Sequence, residues 1–175
     1  MEKINSKKTI YKGKIVELEL RHVTVQNGNI ASREVVLHQP GVSIVATDDE
    51  FIYLVKQYRS GIEKEILEIP AGLLEENEDP VLAASRELQE EIGYNAKNFK
   101  LLTKFYPSPG FCNEVTYIYL ATDLYSSKLQ EDEDEFIEVV KLPISDINNF
   151  LKTSDYIDAK TALGLSLFLL NGKKG

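Results

Sequence analysis

The sequence predicts an α+β fold carried on a mixed or antiparallel sheet, with an additional antiparallel β-sheet at the N-terminus. Three observations predict it. Alternating, β-branched stretches fill the N-terminal part, one strongly patterned helix follows them, and the remaining strands and helices lack the regular βα alternation of a parallel sheet. With 175 residues, 43% of them apolar, the chain suffices for one domain and a small appendage. The expected division is an N-terminal β-sheet segment over 1–40 and a main domain over 41–175.

Taken in order, residues 14–25 and 30–38 alternate, and Gln26-Asn27-Gly28-Asn29 between them is a hairpin signal, because Asn-Gly tolerates the positive φ that a tight turn requires. Residues 42–47 and 51–57 form a second strand pair around Asp48-Asp49-Glu50, and 66–69 add a short extended piece before the turn Pro70-Ala71-Gly72. Later strands are expected at 101–106, 115–123 and 135–143, and helices at 79–92, 145–151 and 158–170. No internal repeat or low-complexity tract interrupts this order.

Composition removes several function classes. A net charge of −8 argues against coating nucleic acid, which needs a basic patch, although an acidic protein still binds phosphates when a metal ion intervenes. Cys112 is the single cysteine, so neither an intrachain disulfide nor a cysteine metal cage is available, and a plain buried or half-buried thiol is expected. No stretch has the length of an apolar membrane span and residues 1–8 do not look like a signal peptide, so a cytoplasmic protein is expected.

The informative segment is the helix at 79–92. Asp79-Pro80 starts it and Gly93 stops it. At helical spacing, Val81, Ala84, Leu88 and Ile92 share one arc for the core, while Glu87, Glu90 and Glu91 collect on another. Those acids sit in the last turns, where the helix dipole opposes negative charge, and like charges at i,i+4 repel. A solvated acidic face fits poorly there. Arg86 can pair with Glu90, but one guanidinium does not neutralise three carboxylates. An oxygen-only cluster without His or Cys nearby points to magnesium or manganese.

The spacing Gly72, Glu78, Arg86-Glu87-Leu88-Gln89-Glu90-Glu91-Ile92-Gly93-Tyr94 resembles the signature of the Nudix hydrolases at every fixed position; Tyr94 stands where an aliphatic residue is usual. At average residue usage, chance agreement in a chain this long is on the order of one in a million. More of the chain, roughly residues 35 to 170, resembles the ADP-ribose pyrophosphatase branch. The stretches concerned are Gln57-Tyr58-Arg59, Glu65 through Gly72, Ser108-Pro109-Gly110-Phe111-Cys112-Asn113-Glu114, Asp134 through Val139, and Ile157-Asp158-Ala159-Lys160-Thr161.

The resemblance implies a Nudix-like mixed-sheet α/β/α sandwich that hydrolyses the pyrophosphate bond of ADP-ribose to AMP and ribose 5-phosphate. It implies magnesium, with manganese as the alternative, at two or three ions per site. Glu87 and Glu91 would be the principal metal ligands, Glu90 would share a further ion, and the Ala71 carbonyl would complete a site. Arg86 would hold the glutamates, an outer role that orients ligands, and Glu78 would bridge to the helix or bind an outer ion. Glu135, or in second place Glu133, would accept the proton of the attacking water. Arg59 and, more weakly, Arg33 would contact phosphate, Pro109 would shape its loop, and Glu114 would bind the terminal ribose. Adenine would stack on an aromatic ring, with Tyr11 and Phe111 among the candidates. The branch also implies a homodimer formed through the N-terminal segment and a small-molecule nucleotide-sugar substrate; from the net charge and the lack of a long apolar run, neither nucleic acid nor membrane is expected as partner.

Three other readings stand beside this one. The chain is a pyrophosphatase for another nucleoside-diphosphate sugar or a dinucleotide, a nucleotide-sensing module without catalysis, or an acidic docking protein. The complete set Glu87, Glu90 and Glu91 weighs against the sensing module, and a docking protein would leave Gly72, Arg86 and Gly93 as coincidences.

Overall fold

The computed structural model describes residues 1–130 and 136–172. Two compact units compose the chain: Met1–Pro40 with Phe105–Val115, and Gly41–Lys104 with Thr116–Gly175.

The first unit is a three-stranded antiparallel sheet of β1 (Lys3–Lys12), β2 (Val16–Thr24) and β3 (Ile30–His38), in that order. The Asn-Gly turn forms where expected: Gly28 has φ 88°, and the Asn29 N–H donates to Asn27 Oδ1 at 3.0 Å. Strand β1 was not expected. Its sequence KINSKKTIYK is exposed along its whole length, so it carries no buried face to generate a pattern. It is a strand because its backbone pairs with β2 from Lys3↔Thr24 to Lys12↔Glu17, with two register shifts. The segment Phe105–Val115 is tied to β3 through the bridge Val36↔Cys112, with Val36 N–H donating to the Phe111 carbonyl at 2.7 Å.

The second unit is built on a mixed sheet ordered β10-β5-β4-β9-β8. Its strands are β4 (Gly41–Thr47), β5 (Phe51–Arg59), β8 (Tyr94–Phe105), β9 (Thr116–Ser126) and β10 (Glu138–Pro143); β6 (Lys64–Glu68) adds to β5 and β7 (Ala71–Leu73) to β4. Strands β4 and β9 run parallel, whereas β4 pairs antiparallel with both β5 and β7. Every residue of β4 is buried, the mark of a strand covered on both faces. Val42, Ile44 and Ala46 cluster with Ala83, Ala84 and Leu88 of α1 (Pro80–Ile92). Val45 points the other way, toward Gly164 of α3 (Ala159–Gly172), as strand alternation demands. The result is the expected α/β/α sandwich. A helical turn at Ile144–Asp146 leads into the short α2 (Ile147–Thr153).

Three boundaries differ from the expectation. Residues Ala71–Leu73, read as part of a turn, form β7, because Ser43↔Ala71 and Gly41↔Leu73 pair across to β4. Strand β8 starts at Tyr94, immediately after α1; its lead-in Asn95, Lys97, Asn98 and Lys100 is too polar to show alternation. The last strand begins at Glu138, and Glu135, expected as its first residue, lies outside the described residues together with Glu133. Among the described residues, no helix is long and apolar enough to cross a membrane.

Candidate active site

Helix α1 begins and ends as its sequence dictates. Asp79 in extended conformation accepts from the Val81 N–H at 2.9 Å, Pro80 takes the first helical position, and Gly93 closes the helix at φ 74°. The apolar arc faces the sheet, with Ala84 and Leu88 fully buried. This docking carries Glu87 and Glu91 inward as well, to 8% and 5% exposure.

Two things make that burial tolerable. The first is Gly72 in β7: a Cβ there would overlap the Glu87 carboxylate carbon and both its oxygens, so the glycine supplies the space the carboxylate occupies. The second is hydrogen bonding. The Ala71 N–H donates to Glu91 Oε2 at 2.9 Å. Arg86 Nη1 donates to Glu87 Oε1 at 2.7 Å and to Glu90 Oε2 at 2.9 Å. Its Nε and Nη2 reach the two oxygens of Glu78, each at 3.1 Å, and Nη2 also donates to the Leu73 carbonyl at 3.0 Å. Arg86 therefore ties the loop before the helix to the helix itself, a fork that only a guanidinium makes.

The protonation equilibria follow. The hydrogen bond from Arg86 holds Glu78 below the ordinary carboxylate value against the opposing pull of burial, with help from the Glu75 backbone N–H. Arg86 is held further toward its charged form by Glu78 first, and by Glu87.

A hard divalent cation fits this place in its donor chemistry. All donors are oxygens, Glu87 and Glu91 lie one helical turn apart, and the Gly72 cradle presses the first of them against the backbone of the Ala71 strand. Among the described residues, no three His, Cys, Asp or Glu side chains converge on one point; the Arg86 guanidinium sits amid Glu78, Glu87 and Glu90.

The other candidates fall into two groups. Arg59 belongs to the same unit as the glutamates, and its Nε and Nη2 both donate to Glu68, each at 2.7 Å. Glu68, at 1% exposure, also pairs with Lys160. Burial pushes its carboxyl upward, but Arg59 and Lys160 outweigh that, and the net shift is downward. Arg59 is held charged by Glu68, against its own burial, with Glu91 and Asp158 adding to the effect. Arg33, Pro109 and Glu114 belong to the first unit. Arg33 on β3 donates to Glu2 at 2.5 Å and to the Ser32 carbonyl. The loop bearing Pro109 is folded by Phe111 and Cys112 N–H bonds to the Ser108 carbonyl, and the half-buried Cys112 thiol accepts from the Glu114 N–H at 3.4 Å. The rings of Tyr11 and Phe111 are exposed.

Sequence reading overlooked Glu68, Asp158 and Lys160 as a cluster and gave Thr161 no role. The available signal was an acid at the end of an otherwise apolar strand directly before Pro70-Ala71-Gly72.

Comparison with known proteins places the chain in a family. Residues 37–162 match the family described as NUDIX domain. An ADP-ribose pyrophosphatase from Bacillus subtilis (strain 168) is 41% identical over 172 residues, covering 97% of this chain and 93% of that protein. A methanol dehydrogenase activator from Bacillus methanolicus is 37% identical over the same shares of both chains. Among solved structures, an ADP compounds hydrolase superposes with TM-score 0.89 at 27% identity, over 99% of this chain and 96% of that one.

Proposed function

The chain belongs to the Nudix family of hydrolases, and from that premise we propose that it splits the pyrophosphate bond of ADP-ribose into AMP and ribose 5-phosphate. The observation that carries the reading is the carboxylate pair Glu87 and Glu91, buried against Gly72 and Ala71. The 41% identity to an ADP-ribose pyrophosphatase over nearly the whole chain supports the substrate.

Glu87, Glu91 and the Ala71 carbonyl would hold magnesium, or manganese in its stead, and Glu90 would share a second or third ion. Bound there, the cations supply charge neutralisation on the non-bridging phosphate oxygens. The chain's own residues do the rest. Arg86 positions the glutamates rather than touching substrate. Glu135, with Glu133 in second place, accepts a proton from the water that attacks phosphorus, while the phosphate on the other side leaves with the bridging oxygen. Arg59 steadies a phosphate through whatever donor capacity Glu68 leaves it, Arg33 does so more weakly, and Glu114 on the loop shaped by Pro109 binds the terminal ribose. The N-terminal sheet, residues 1–40, forms a homodimer with a second copy, and light scattering in solution tests this: a monomer at all concentrations would defeat it. A single free cysteine accords with the reducing cytoplasm, which cell fractionation checks.

A second reading, cleavage of a different nucleoside-diphosphate sugar, draws on relatives such as a GDP-mannose pyrophosphatase of Citrobacter koseri at 30% identity. The deciding experiment measures AMP and ribose 5-phosphate release from ADP-ribose, other nucleotide sugars and dinucleotides, each with and without magnesium. Best cleavage of ADP-ribose, only with metal, supports the proposal. Preference for another compound moves the substrate assignment, and no cleavage at all removes the enzymatic reading.

A further inference from the structure

The turn that leads into the glutamate helix is anchored at three consecutive residues, each by a different element. Ala71 donates its N–H to Glu91 Oε2 on α1 at 2.9 Å. The Pro70 carbonyl accepts from the Ile44 N–H of β4 at 2.8 Å. The Ile69 N–H donates to Thr161 Oγ1 on α3 at 2.9 Å, across a separation of 92 residues. The first two anchors follow from the sheet and the acidic helix. The third comes from α3, which carries none of Glu87, Glu90 and Glu91.

The first turn of α3 is organised around that contact. Asp158 Oδ1 accepts from the backbone N–H groups of Lys160 and Thr161 at 3.0 and 3.2 Å, capping the helix. The Lys160 ammonium joins Asp158 Oδ1 at 3.0 Å and pairs with Glu68, the residue preceding Ile69. Both Ile69 and Thr161 are 0% exposed, so water does not substitute for their bond. Gly164 permits the close approach, since a Cβ there would lie 3.0 Å from Ile69 Cδ1.

We propose that Thr161, seconded by Lys160, is a positioning residue for cation binding: the C-terminal helix fixes Ile69 so that Ala71 and Glu91, two residues further on and across, keep their mutual register. This rests on the metal reading given above. Thr161 is one of three buried residues of α3, with Gly164 and Leu165, and its hydroxyl accepts from the Ile69 N–H; outer contacts of this kind govern ligand orientation. Loss of the hydroxyl frees the Ile69 N–H, slackens the turn and weakens the hold on Glu91.

The test is Mn2+ binding to the full chain without substrate, by calorimetry, for Thr161→Val, Thr161→Ser and Glu91→Gln, at a temperature where circular dichroism shows each variant folded. Thr161→Val should weaken Mn2+ binding on the order of 10-fold, with the serine variant close to wild type. A purely structural threonine would lower the melting temperature and leave the Kd of the folded protein unchanged. Unchanged binding in Thr161→Val, with binding lost in Glu91→Gln, overturns the positioning role alone. Unchanged binding in both overturns the metal reading itself. Should Thr161→Val not fold, Lys160→Met carries the same expectation, and a wild-type Kd for it overturns the proposal.

Discussion

Adding one methyl group at Gly72 should disable the candidate site while leaving the fold in place. Gly72 does not occupy the left-handed region of φ, so alanine is conformationally acceptable there and the penalty is steric. The new Cβ would overlap the Glu87 carboxylate carbon and both oxygens, and the backbone of β7 is held by its pairing with β4. The carboxylate must therefore swing away, giving up the 2.7 Å bond from Arg86 Nη1. A hydrogen bond to a charged partner contributes about 1.5–3 kcal/mol, and overpacking a filled site costs about 1–3 kcal/mol. A net loss of about 3 kcal/mol corresponds to a melting temperature lower by roughly 6–12 °C for a chain of this size. Turnover should fall on the order of 10- to 100-fold, because an inward carboxylate loses its place. Gly61→Ala is the control, since no atom lies within 4 Å of a Cβ there. The assay pairs thermal melts with substrate turnover for both variants. If Gly72→Ala melts and turns over like Gly61→Ala, the cradle argument is wrong.

Glu91→Gln should remove most turnover and leave the melting temperature near wild type, because the Ala71 hydrogen bond survives while a ligand charge and its repulsion on the helix disappear; unchanged turnover would sink the metal assignment. Glu68, whose carboxyl is held below its ordinary value of 4.5, contributes stability that is fully present above that pH and is lost as pH falls through the folded value beneath it. Glu68→Gln should therefore flatten the acid limb of the melting curve, and at pH 7 it should cost about 3 kcal/mol by leaving Arg59 and Lys160 without their buried partner. Identical acid profiles for variant and wild type would contradict this. At Gly93, where φ is 74° and the nearest atom to a Cβ is 3.8 Å away, alanine should cost about 1 kcal/mol of purely conformational origin. Asparagine should recover part of it in the same melts, and equal melting of the alanine variant would exclude a strained helix stop.

Local chemistry set much of this molecule in advance. Asp79-Pro80 and Gly93 bound α1, Asn27-Gly28 places a hairpin, and the helical period separates Leu88 and Ile92 from Glu87, Glu90 and Glu91, because each signal acts over a few residues. The spacing from Gly72 to Gly93 was enough to identify the family. Tertiary structure alone decided what required a distant partner. Strand β1 has no periodic face and exists by its ladder to β2. The commitment of Arg59 to Glu68 crosses the pairing of β5 with β6, and that of Thr161 to the Ile69 N–H joins residues 92 positions apart in the chain. Even Gly72, plain in the signature, acquires its reason only when the helix brings Glu87 onto it. Sequence patterns record how a residue treats its near neighbours and the core; they do not record which buried hydrogen-bond donor meets which acceptor once separate elements pack, as the Ala71 N–H meets Glu91 here.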